Sequence, residues 1–82
     1  MTKELSEAII ATNDKLLGTH HSLDDVKEIR VSHQLGGMFD LYTNQGQNVG
    51  LRLYASVNAH TVATMYPQFA KTILNLLKLS EE

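Results

Sequence analysis

Apolar positions recur at helical spacing from residue 3 to residue 17. Leu5, Ala8, Ile9 and Leu16 fall on one stripe, Thr12 is the polar member of that stripe, and Glu4, Glu7 and Asp14 lie away from it. The spacing predicts a helix over 3–17. Two acids near its start suit the helix dipole, and Gly18 is placed to stop it. Thr19-His20-His21-Ser22 then reads as a loop, with Ser22 able to cap a short turn ahead of Leu23-Asp24-Asp25.

The period changes to two in the middle of the chain. Over 27–33, Ile29, Val31 and His33 share one face against Glu28, Arg30 and Ser32. Over 38–43, Phe39 and Leu41 oppose Met38, Asp40 and Tyr42, and over 47–55, Val49, Leu51, Leu53 and Ala55 oppose Asn48, Gly50, Arg52 and Tyr54. A two-residue Gly36-Gly37 turn would split the apolar set between faces. A three-residue loop Leu35-Gly36-Gly37 pairs His33 with Phe39 and Val31 with Leu41, keeps one face apolar, and puts a glycine where a left-handed residue is needed. Loop Asn44-Gln45-Gly46 does the same, pairing Leu41 with Val49 and Phe39 with Leu51. The expectation is an antiparallel meander.

Residues 59–79 project as a second helix. Val62, Met65, Tyr66, Phe69, Ile73, Leu76 and Leu77 lie on one side, and Thr61, Thr64, Gln68, Lys71, Asn75 and Lys78 on the other. Ser56 or Asn58 can cap it, and Pro67 should kink or break it. The rival reading makes 60–66 a fourth strand with the helix beginning at Pro67, but that stretch shows no clear alternation. The fold expected is therefore a single α+β domain over 1–82. It is a two-layer sandwich of order α-β-β-β-α, with both helices on one face of a three-stranded antiparallel sheet.

Composition narrows the function. The 82 residues carry 7 Lys plus Arg against 9 Asp plus Glu, a net charge of −2, and no cysteine. A basic, phosphate-seeking domain is not the default, and thiolate catalysis, disulfides, cysteine-based zinc sites and iron–sulfur clusters are excluded. The start is charged at once, and the longest apolar run, Ala8-Ile9-Ile10-Ala11, is far too short for a bilayer, so a cytoplasmic protein is expected. A chain this short buries only about 60% of the surface it exposes when unfolded, which makes self-association a reasonable expectation.

The element order resembles that of double-stranded-RNA-binding domains over most of the chain. Such domains grip phosphates with a histidine-bearing loop and a lysine cluster opening the second helix. Here the first hairpin turn is Leu35-Gly36-Gly37, and Asn58-Ala59-His60-Thr61 opens the helix without a cation. His20-His21 with Asp24 or Asp25 could hold zinc, but adjacent side chains rarely point at one centre, so a polar loop is the plainer reading. His33, on the core face in this register, reads as a core-edge residue, and Asp40 on the opposite face cannot orient it for acid–base work. No phosphate loop, Gly-x-Ser-x-Gly or His-Glu-x-x-His motif is present. No catalytic residue, cofactor or metal is assigned, and the chain is not expected to be an enzyme.

The outer sheet face is the most informative surface. In this register Arg30, Tyr42 and Asn48 form one row, Ser32, Asp40 and Gly50 the next, and Met38 and Arg52 a third, with Tyr54 on the same face. Tyr and Arg are the residue types of interface hot spots. Arg30, Met38, Tyr42, Asn48, Arg52 and Tyr54 are the candidate partner-binding residues, and the function expected is a non-catalytic protein-interaction module, homodimeric or bound to another protein. The wide apolar arc of 62–79, extended by Ala63, Ala70 and Leu74, is the second candidate surface. The alternative is nucleic-acid binding, with single-stranded bases stacked on the Arg30, Arg52, Tyr42 and Tyr54 face. A small-molecule or metal-dependent enzyme comes third.

Overall fold

The computed structural model describes residues 1–44 and 51–80. Helix α1 spans Lys3–Leu17, the range that the spacing predicts. The Thr2 side chain caps it by accepting the Leu5 N–H at 3.2 Å. Gly18 ends it in the left-handed region at φ 69°, and the Thr19 N–H returns to the Asp14 carbonyl at 3.0 Å. Leu5, Ala8, Ile9, Ile10, Thr12 and Asn13 are buried. Thr12 tolerates full burial because its hydroxyl donates to the Ala8 carbonyl at 2.8 Å. Leu16 departs from expectation. It shares the stripe but is 60% exposed, and Leu17 beside it is 55% exposed, so the last turn overhangs the core.

The sheet has the order β1-β2-β3, from strands Val26–Val31, Met38–Asn44 and Leu51–Asn58, all antiparallel. The meander is therefore observed, but both registers differ from the expected ones. Val31 pairs with Phe39 and Ile29 with Leu41, not His33 with Phe39. The reason is a longer first loop. The Ser32 N–H donates to the Met38 carbonyl at 2.9 Å, and the Ser32 hydroxyl accepts the Leu35 N–H at 3.0 Å, so pairing stops there. His33 is consequently exposed in the loop, not on the core face, and Ser32 is buried rather than on the outer face. Gly37 does take the left-handed turn, at φ 75°.

On the other side Leu41 pairs with Ala55 and Phe39 with Val57, not with Val49 and Leu51. Residues 47–50 of the expected third strand lie outside the described residues. Both slips are by an even number of residues, so Phe39 and Leu41 stay on the apolar face. Each edge strand also carries one extra residue. Lys27 is the extra one between the Val26–Thr43 and Glu28–Tyr42 pairs. Tyr54 is the extra one between Leu41–Ala55 and Tyr42–Leu53. The Tyr54 bulge breaks strict alternation. Leu53 moves to the outer face at 52% exposure, and Tyr54 turns inward to pack against the core.

The C-terminal part is an interrupted helix. α2 is Ala59–Met65, a 3₁₀ turn covers Pro67–Phe69, and α3 is Ala70–Ser80. Asn58 caps α2, its side-chain oxygen accepting the N–H groups of His60 and Thr61. Pro67 removes a donor and drives Tyr66 out of the helical region, to φ −130° and ψ 75°. Residues 60–66 are thus helical except for Tyr66, and the strand alternative fails. The Ala59 N–H donates to the Gly37 carbonyl at 2.7 Å, which ties the start of α2 to the first hairpin loop. Val62 and Ile73 are buried, and Tyr66, Phe69, Leu76 and Leu77 pack on the same core. The helices cover one face of the sheet, with Phe39 and Leu41 fully buried between the layers.

Position in the core decides the cost of truncation. Phe39→Ala should cost about 3–5 kcal/mol, most of the stability of so small a domain. Leu16→Ala, on the same chemical logic but at an overhanging turn, should stay within about 0.5 kcal/mol. Urea unfolding followed by circular dichroism measures both.

Candidate functional site

Two groups of polar residues stand out, one on each side of the sheet. On the outer face Glu28 is opposite Tyr42 and Tyr42 is opposite Leu53, while Arg30 is opposite Asp40 and Asp40 is opposite Ser56. Arg30 Nε donates to Glu28 Oε1 at 2.6 Å, and the guanidinium carbon sits 5.6 Å from the centre of the Tyr42 ring. The Arg30 bond holds the Glu28 carboxyl below its ordinary range, and the same bond pushes Arg30 upward. The Ser56 hydroxyl donates to Asp40 Oδ1 at 2.6 Å. Met38 is half-buried and pairs with Asn58, not with Arg52.

Of the six candidate partner-binding residues, the structure therefore brings Arg30, Met38 and Tyr42 to one face. Tyr54 is not there, because the bulge turns it toward α1. Asn48 lies outside the described residues, and Arg52 is described by its backbone pairing with Thr43 alone. The expected rows dissolve with the register: Asp40 faces Ser56 rather than Gly50, and Tyr42 faces Leu53 rather than Asn48.

The second group surrounds Asp14, at the overhanging end of α1. Its Oδ2 accepts the His21 backbone N–H at 2.6 Å, and its Oδ1 accepts the Thr19 hydroxyl at 2.8 Å. His21 Nδ1 lies 3.0 Å from the same Oδ1 and 3.1 Å from the Tyr54 hydroxyl. Tyr54 in turn donates to the Thr19 hydroxyl oxygen at 2.7 Å, and its ring meets the His21 ring edge-on at 4.3 Å between centroids. One assignment of protons satisfies every contact: Asp14 ionised, Nδ1 protonated, Tyr54 donating to Thr19 and Thr19 donating to Asp14. Burial pushes the Asp14 carboxyl up, but the His21 backbone, the Thr19 hydroxyl and the His21 ring together outweigh it and hold the group below its ordinary value of 3.8.

Sequence reasoning missed this cluster, treating His20-His21 as a polar loop or, with Asp24 or Asp25, as a zinc candidate. The available signal was Asp14 itself, an acid near a helix C-terminus where the dipole disfavours it. His60 lies against Gly37, with its ring 3.8 Å from where a Cβ would stand, and His20 and His33 are exposed. Among the described residues no three His, Asp or Glu side chains are placed to hold a metal ion.

Below the cluster, a groove of about 820 Å³ runs between α1 and residues 19–24. Ile10, Ala11 and Leu23 give it an apolar floor, and Thr19 and His21 form part of its wall. Comparison with family models, with curated proteins and with solved structures found no match for the chain.

The depressed Asp14 value has a definite sign. A carboxyl held lower in the folded state than in the unfolded one stabilises fully above the unfolded value and loses that contribution as pH falls through the folded one. Asp14→Asn should cost about 2–3 kcal/mol at pH 7. The gap to the wild type should close as pH drops below 3.8 and on through the lower folded value. Denaturant titrations at several pH values read this directly, and a gap independent of pH would exclude the ionised network as its source.

Proposed function

We propose that this chain is a small, non-catalytic protein-interaction module of the cytoplasm that works as a homodimer through the outer face of its sheet. The observation that carries this reading is one-sided coverage. All the helices lie on one face, and the other face is left with Arg30 already ordered by Glu28 and Tyr42, beside a Leu53 that is 52% exposed. A Tyr with a held Arg over its ring and an exposed Leu opposite it has the composition of a hot spot, and side chains ordered before contact lose less entropy on binding. The face carries both signs, Arg30 against Glu28 and Asp40, so in a two-fold pair Arg30 of each copy can approach an acid of the other.

Other properties agree with this reading. No helix among the described residues is long and apolar enough to cross a membrane. The nucleic-acid alternative loses one of the tyrosines it would stack on, since Tyr54 faces α1.

Light scattering at high micromolar concentration should give twice the 9.1 kDa chain mass. Tyr42→Ala should weaken the dimer about thirtyfold, as expected for loss of a hot-spot side chain, and Arg30→Ala should act in the same direction. A folded monomer at that concentration rejects the proposal. A dimer untouched by both substitutions moves the interface to α3, where Leu74 and Leu79 are exposed.

A further inference from the structure

The groove beside His21 lies on the helix side of the sheet, away from the proposed interaction face. We propose that it binds a small, neutral, largely apolar molecule carrying one hydroxyl or N–H donor, with His21 Nε2 as the acceptor. This assignment stands independently of the homodimer.

Volume and lining come first. About 820 Å³ falls inside the range of roughly 300–1,000 Å³ typical of small-molecule sites. Ile10, Ala11 and Leu23 supply apolar surface for the body of a ligand. Lys3 and Lys15 stand against Glu7 and Asp24 around the groove, two charges of each sign. The remaining acid, Asp14, has both oxygens engaged by Thr19 and His21. Asp14 keeps its negative charge, so the lining sets two cations against three acids and disfavours an anion, and the apolar floor favours a neutral ligand over a cation.

The polar contact comes from His21. Its backbone N–H and Nδ1 are both held by Asp14, and its ring rests on Tyr54. An ionised carboxylate and a phenol oxygen that gives its own proton to Thr19 both require the proton on Nδ1. A neutral imidazole protonated at Nδ1 has a bare lone pair at Nε2. That nitrogen makes no hydrogen bond to any described residue, and it belongs to a side chain that lines the groove. An acceptor on a side chain that shares the groove lining with Ile10, Ala11 and Leu23 selects a ligand with an apolar body and a single donor. The position of His21 is set by its supporting contacts before any ligand arrives.

The test uses the whole chain with two probes, p-cresol and toluene, which differ by one hydroxyl. Nitrogen-15 spectra of the histidine rings should show His21 in the Nδ1–H tautomer. In amide spectra p-cresol should shift Ala11, His21 and Leu23 saturably, binding about fivefold more tightly than toluene, the ratio expected for one neutral hydrogen bond. His21→Phe should bring the two probes to equal affinity. Should that variant fail to fold, the tautomer and the two-probe comparison in the wild type decide alone. An Nε2–H tautomer, equal affinities in the wild type, or no shift at millimolar p-cresol overturns the proposal.

Discussion

Among the described strands only β2 has neighbours on both sides, and its inner face must be kept dry. Phe39 and Leu41 are fully buried there, and every other element is placed by how it covers them. β1 contributes Ile29 and Val31 in register with them, β3 contributes Ala55 and Val57, and the helices close the layer with Ile9, Val62 and Ile73. Three strands give too little apolar surface for two covered faces in a chain of this size. The outer face is left to polar pairs, Arg30 with Glu28 and Ser56 with Asp40, with Leu53 as its exposed apolar member.

The same constraint accounts for the Tyr54 bulge. One extra residue in β3 lets Ala55 and Val57 face the core while Leu53 leaves it, and it rotates Tyr54 toward the end of α1. The phenol then reaches Thr19 and His21, which Asp14 already holds. A sheet irregularity and a helix terminus are thereby joined across 35 residues of sequence. Removing Tyr54 from the outer face thins the aromatic surface there, and it makes the Asp14 network a polar link between β3 and the end of α1.

Element type was legible because period, stop signals and proline act locally. Gly18 and Pro67 each impose a backbone outcome that tertiary contacts do not reverse, so α1 and the broken C-terminal helix were readable to within a residue or two. The apolar face of β2 was readable because an even register slip preserves it. The register itself was not, since it depends on the Ser32 side chain closing the first loop early and on two inserted residues that hydrophobic alternation cannot reveal. Half of the outer-face site survived for that reason: Arg30, Met38 and Tyr42 keep their parity, and Tyr54 loses it. The Asp14 cluster draws on residues 14, 19, 21 and 54, a non-local set with no motif spacing.

Asp14 also shows why such a network holds together as a unit. An ionised carboxylate close to a helix C-terminus is opposed by the dipole and by partial burial, so it needs several donors at once. Those donors come from a linker that must then adopt one conformation: the His21 backbone N–H can reach Oδ2 only if Gly18 has already turned the chain back. The left-handed glycine, the charged acceptor and the orientation of the imidazole are consequently one structural decision. Its outcome is a histidine with one nitrogen committed to the fold and the other without a partner among the described residues. Burial of an equivalent apolar cluster would stabilise the linker as well, but it would leave no directed acceptor at the groove.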